Sequence, residues 1–142
     1  MSTASISSSS GASTVVDSIL FRDAFGTPQM REVFADRALI GRYIEVEVAL
    51  ARAEARCGVI PAEAADVIAR ESRLDRIDFD HMREETDIVG YPILPLVHQL
   101  VAMCGESGRY IHWGATTQDI MDTANVLQIR ATPSPRPSTC SR

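Results

Sequence analysis

No apolar run in this 142-residue chain is long enough to cross a bilayer, which excludes a membrane-spanning helix. No Lys/Arg-rich run appears either, and a formal net charge of −5 argues against nucleic acid as the main partner. The first residues lack the basic opening and apolar block of a secretory signal, and the Arg-rich amphipathic pattern of a transit peptide. A cytoplasmic protein is expected. Cysteine is scarce: Cys57, Cys104 and Cys140 are odd in number, widely spaced, and without a Cys or His neighbour at metal-ligand spacing. No metal centre is expected from them. Cys57 and Cys104 each precede a Gly at a helix end and read as small half-buried thiols. No stretch alternates convincingly between apolar and polar residues, and nothing repeats. The chain reads as all-α.

Both ends are compositionally biased. Residues 1–16 carry no charge, and seven of the first 13 are Ser. Residues 131–142 hold three of the seven prolines plus Ser and Thr. Disordered tails are expected there, with a single helical domain over residues 17–130. Thr27-Pro28 looks like a cap followed by Pro at the first helical position. From Met30 to Arg56 a helical stripe of Phe34, Ala38, Gly41, Val48 and Ala55 runs on, with Ile44 and Ala51 nearby. The charges Glu45, Glu47, Arg52, Glu54 and Arg56 alternate around the faces assigned to solvent. Gly58 stops that helix, and Pro61 opens a short one to about Ser72. Asp78 caps a third to about Val89, broken by Gly90. Pro92 starts a fourth, with Pro95 tolerated in its first turn. Gly105 and Gly108 end it, and a short extended piece through Trp113 leads to a last helix. Ile120, Ala124, Leu127 and Val126 are expected on its inner face.

Residues 109–130 are the most telling. Gly114 and two hydroxyl residues, Thr116 and Thr117, run directly into the last helix, with His112 and Trp113 just upstream. A helix start exposes unpaired N–H groups and the positive end of the dipole, which suits an anion. The same residues also make an ordinary capped start, in which early Asp and Thr are common. On their own, His112 reads as a structural histidine, Trp113 as packing, and His81 and His98 as surface residues.

The stretch His112-Trp113-Gly114-Ala115-Thr116-Thr117-Gln118-Asp119 resembles the first signature region of the fumarase/aspartase superfamily. Upstream, Phe25-Gly26-Thr27-Pro28, Glu47-Val48-Ala49-Leu50-Ala51 and Gly58-Val59-Ile60-Pro61 are similar to that superfamily's N-terminal helical domain. Gly90-Tyr91-Pro92-Ile93-Leu94-Pro95 is most similar to 3-carboxy-cis,cis-muconate cycloisomerases. Adenylosuccinate lyases are the next resemblance. They carry His-Asp-Val where this chain has Tyr91-Pro92-Ile93, and a phosphate-holding Arg-Tyr where it has Ala24-Phe25.

The resemblance implies lactonisation of a carboxymuconate in aromatic-acid breakdown, through an aci-carboxylate intermediate and without metal or organic cofactor. It implies that Thr116 and Thr117 donate hydrogen bonds to a carboxylate of a small polycarboxylate substrate. His112 would orient or neutralise a second carboxylate, and Gln118 would add a polar contact. Asp119 would organise the helix start, since like charges repel. Full-length relatives are homotetramers that complete each site with two later regions, one bearing the proton donor and one a Gly-Ser-Ser loop. Neither pattern occurs here, so no catalytic residue is assigned and the chain is expected to be inactive alone. The last helix looks cut off, with the central bundle truncated. Two alternatives stay open: adenylosuccinate lyase or another fumarate-releasing lyase, and a non-enzymatic helical subunit-interaction module.

Overall fold

The computed structural model describes residues 14–15 and 18–132. The tails expected at residues 1–16 and 131–142, and Cys140 with them, fall almost wholly outside the described residues. Six α-helices and two 3-10 turns make up the order, and the described residues include no strand: the fold is all-α.

Helix α1 (Pro28–Val33) starts as its sequence dictates, with the Thr27 hydroxyl accepting from the Met30 N–H at 3.3 Å and Pro28 in the first turn. The continuous helix expected from Met30 is broken. Phe34 ends α1, Ala35 is extended, and α2 (Asp36–Arg56) begins anew with an acidic residue in its first turn. An Asp there favours a fresh start by opposing the helix dipole. No Gly or Pro marks the break, so periodicity alone could not show it.

The 21 residues of α2 form the spine of the fold. Ile40, Tyr43, Ile44, Glu47 and Ala51 are its buried residues, spaced as one helical stripe. That stripe is rotated from the expected one. Ile44 and Ala51 hold, Ala38, Gly41, Val48 and Ala55 are half-buried flanks, and Phe34 is exposed. A Cβ on Gly41 would meet the Leu74 side chain of the 3-10 turn Leu74–Arg76 at 3.4 Å, an ordinary contact.

Just past the α2 cap residue Cys57, Gly58 turns the chain with a φ of 73°, the left-handed conformation that favours glycine. Helix α3 (Ala62–Glu71) packs on α2 through Ala64, Ala65 and Ile68. Helix α4 (Phe79–Val89) is capped by Asp78, whose carboxylate accepts from the His81 N–H at 3.0 Å, and stops at left-handed Gly90. In α5 (Ile93–Cys104), Pro95 is buried in the first turn, and Leu96 and Leu100 are wholly buried. Each such leucine contributes about 1.5–3 kcal/mol by leaving water.

The segment after α5 is a 3-10 helix, Gly105–Tyr110, where an extended piece was expected. The cause is close packing. A Cβ on Gly108 would lie 2.5 Å from the Val101 carbonyl oxygen, so only glycine lets the chain fold back on α5. Helix α6 (Thr117–Arg130) then lies against α2. Its inner face is Ile120, Ala124 and Gln128, spaced by four, while Val126 is 55% exposed and Leu127 half-buried. Gln128 was not expected inside. Its amide donates to the Val33 carbonyl at 2.9 Å, which satisfies an orphan at the end of α1 and ties the two helices together.

Candidate carboxylate-binding segment

Thr116 caps α6 in extended backbone, and a reciprocal box closes the turn. Its N–H and its hydroxyl donate to Asp119 Oδ2 at 2.9 and 3.0 Å, while the Asp119 N–H reaches the Thr116 hydroxyl at 3.4 Å. The Thr116 backbone bond, then its side-chain bond, hold the Asp119 carboxyl below the usual aspartate range, and the His112 charge adds to the effect. Asp119 therefore organises the helix start, and its carboxylate already occupies the donors of Thr116. Thr117 differs. Its hydroxyl and backbone N–H, and the N–H of Gln118, have no partner among the described residues. The Gln118 side chain donates to Asp122.

Upstream, the chain turns through two left-handed residues, His112 at φ 59° and Gly114 at φ 67°. Among the described residues His112 is the one non-glycine with positive φ, a conformation that costs energy unless its surroundings impose it. Glu47 imposes it. One carboxylate oxygen accepts the His112 backbone N–H at 3.1 Å and the other meets ring Nδ1 at 2.6 Å. Burial pushes the Glu47 carboxyl above the ordinary glutamate range, and the bonds to His112 pull it back. Glu54, two turns along, is raised by burial and by the Glu47 charge, and its Oε2 has no hydrogen-bond partner among the described residues.

Glu47 was assigned to solvent by its place in a run of alternating charges, yet it is only 2% exposed. The signal was there in its phase: four residues after Tyr43 and four before Ala51, both on the core face. Trp113 is exposed and meets the ring of Tyr110, itself packed against the core, at 6.3 Å. His81 and His98 are exposed, at 3.9 and 3.6 Å from Glu85. The thiols expected to be half-buried divide: Cys57 is exposed and Cys104 buried, where burial raises its pKa. Among the described residues no group of three or more His, Cys, Asp or Glu is arranged to hold a metal. A cleft of about 280 Å³ between α2 and α4 is lined by Leu39, Phe79, Met82 and Thr86 and by none of the residues 112–118. Its lining also includes Asp36, Arg83 and Asp87, so it is a separate feature from the start of α6.

Fold and segment together define a helical domain that presents a capped, open helix start beside a carboxylate-held histidine. No family model matches the sequence. Individual proteins do. The chain is 50% identical over 109 residues to trans-aconitate decarboxylase 1 of Mycosarcoma maydis, covering 76% of this chain and 22% of the relative. It is 45% identical over 117 residues to 3-carboxy-cis,cis-muconate cycloisomerase of Acinetobacter baylyi, covering 78% of this chain and 26% of the relative. The crystal structure of β-carboxy-cis,cis-muconate cycloisomerase from Acinetobacter calcoaceticus superposes with a TM-score of 0.73 at 44% identity, over 78% of this chain and 27% of that one. The chain is a homologue of the fumarate lyase superfamily, cycloisomerases and adenylosuccinate lyases included. It spans about a quarter of the length of the relatives it matches.

Proposed function

We propose that this chain is the carboxylate-binding portion of a 3-carboxy-cis,cis-muconate cycloisomerase-like enzyme and is inactive on its own. The observation that carries the reading is the start of α6, where the Thr117 hydroxyl and the N–H groups of Thr117 and Gln118 have no partner among the described residues, a few residues after His112. Donors aimed at an anion stabilise the extra charge of an aci-carboxylate more than that of the substrate, which is how such a site would accelerate the reaction. Thr117 and Gln118 would hold one carboxylate, and His112 a second. Thr116 would join them only by releasing Asp119. The complete site would need other chain segments, supplied by a homotetramer of cytoplasmic subunits. No described helix is long and apolar enough to cross a membrane.

A second reading rests on the relative at 50% identity, whose name specifies trans-aconitate. Aconitate and carboxymuconate are both unsaturated tricarboxylates, so the substrate class survives a change of reaction. Adenylosuccinate is a poorer fit, because Ala24 and Phe25 offer no phosphate contact.

The test is an amide-resolved titration of the chain with carboxymuconate, alongside an assay for lactone. Expected are shifts centred on Thr117 and Gln118 and no turnover. Shifts centred elsewhere, or turnover at the rate of a full-length cycloisomerase, would sink the proposal. Light scattering with a full-length homologue checks the interaction-module alternative, which predicts docking without any response to the tricarboxylate.

A further inference from the structure

The His112–Glu47 contact spans 65 positions of sequence and brings together the middle of α2 and the approach to α6. The Glu47 side chain is 1% exposed and His112 is its only hydrogen-bond partner among the described residues. Burying a carboxylate for one histidine is costly, and a core position filled by an apolar side chain would be at least as stable. Stability alone therefore does not account for a glutamate here.

The geometry accounts for it differently. A carboxylate only accepts hydrogen bonds, so both of its oxygens demand donors from His112. One takes the backbone N–H, which pins the residue at φ 59°. The other takes Nδ1, which must then carry a proton. Nε2, on the opposite side of the ring, has no partner among the described residues, and the side chain is 20% exposed. When the ring is protonated at both nitrogens, Glu47 balances one N–H and leaves the other for an anion outside.

We propose that Glu47 is a positioning residue: it holds His112 in its left-handed backbone with Nδ1–H turned inward, so that Nε2, when it too carries a proton, is the atom that donates to a substrate carboxylate at the start of α6. The last clause rests on the function proposed above; the fixing of the ring does not. Glu47 touches no substrate and acts only through His112.

Long-range proton–nitrogen NMR spectra of the uniformly labelled chain, with His112 identified by loss of its signals in His112→Asn, read the tautomer directly. At mildly alkaline pH the wild-type ring is expected as the Nδ1–H tautomer. In Glu47→Gln the amide carbonyl still accepts the His112 N–H, but its NH₂ now donates to Nδ1, so the ring flips to Nε2–H. A wild-type ring already in the Nε2–H form overturns the proposal and needs no variant to fold. So does a tautomer that Glu47→Gln leaves unchanged. A merely space-filling Glu47 predicts no flip, because Gln has the same shape. Titration with tricarballylate, a stable tricarboxylate, then tests the last clause. The wild-type Nε2 signal should move. Under conditions where the wild-type ring is protonated at both nitrogens, affinity should fall by about tenfold, the size of one charge-assisted hydrogen bond, in Glu47→Gln, whose amide NH₂ faces Nδ1 and opposes that second proton. If tricarballylate moves nothing in the wild type, the carboxylate reading fails while the tautomer result still decides the role of Glu47.

Discussion

Two helix starts in this protein use the same chemistry to opposite ends. At α4 the Asp78 carboxylate caps the His81 N–H, and the Gln99 side chain of α5 grips the Asp78 backbone from both sides, accepting its N–H at 2.8 Å and donating to its carbonyl at 3.0 Å. At α6 the cap is equally complete, but every bond in it joins Thr116 to Asp119 within one turn. The first start is welded to another helix. The second is closed only on itself, so an incoming carboxylate could displace Asp119 from the Thr116 donors without disturbing the core. A start built into the packing serves stability, whereas one held by its own residues is free to serve a ligand.

The comparison predicts a ranking. Gln99→Ala removes both grips on Asp78 and should cost about 1–3 kcal/mol in urea unfolding, because two backbone groups lose their partners together. Tricarboxylate binding should not change. Thr116→Ala removes a local cap and should cost about 1 kcal/mol, with fraying confined to the first turn of α6 by hydrogen exchange. Should Thr116→Ala prove the more damaging, the two starts are not divided as described. Thr117→Val removes a hydroxyl that bonds to nothing described, and stability should move by less than about 0.5 kcal/mol. Its effect should appear instead as weaker binding of tricarballylate. A loss of stability without a loss of binding would make Thr117 a structural residue.

Both starts were legible in the sequence, but their distant partners were not. Asp78 before a helical run, Gly90 after it, and Thr27-Pro28 are local signals, and α1 and α4 begin where they indicate. Thr116 and Asp119 at a three-residue spacing were legible for the same reason. What stayed hidden depends on a distant partner. Gln99 reaches Asp78, Gln128 reaches Val33, and Glu47 reaches His112, each from a polar residue that pattern alone assigns to solvent. The 3-10 helix Gly105–Tyr110 was missed likewise: its two glycines signal a break, but only the close approach of Gly108 to Val101 says which way the chain turns. Family resemblance pointed to residues 112–118 as the site and included Glu47 in a helical motif without giving it a role, although it holds His112 from the core.

Acid sharpens the contrast by the smallest effect, because Asp119 is exposed and water screens its charge. An acid whose pKa is lowered on folding stabilises the fold above its unfolded pKa, and that stability is lost as pH falls through the folded value. Asp119 is of this kind, held down by Thr116, so the α6 cap should release as pH drops below the ordinary aspartate range. Glu47 and Glu54 are raised by burial, and the sign reverses. Their contribution is fully present below the unfolded glutamate pKa and is lost as pH rises through the higher folded values. Hydrogen exchange across that range should therefore show the amides of Thr116 and Asp119 losing protection on acidification while those around Glu47 keep theirs. If the middle of α2 opened first, burial would not be what raises Glu47, and His112 would be held by something other than a carboxylate forced into the core.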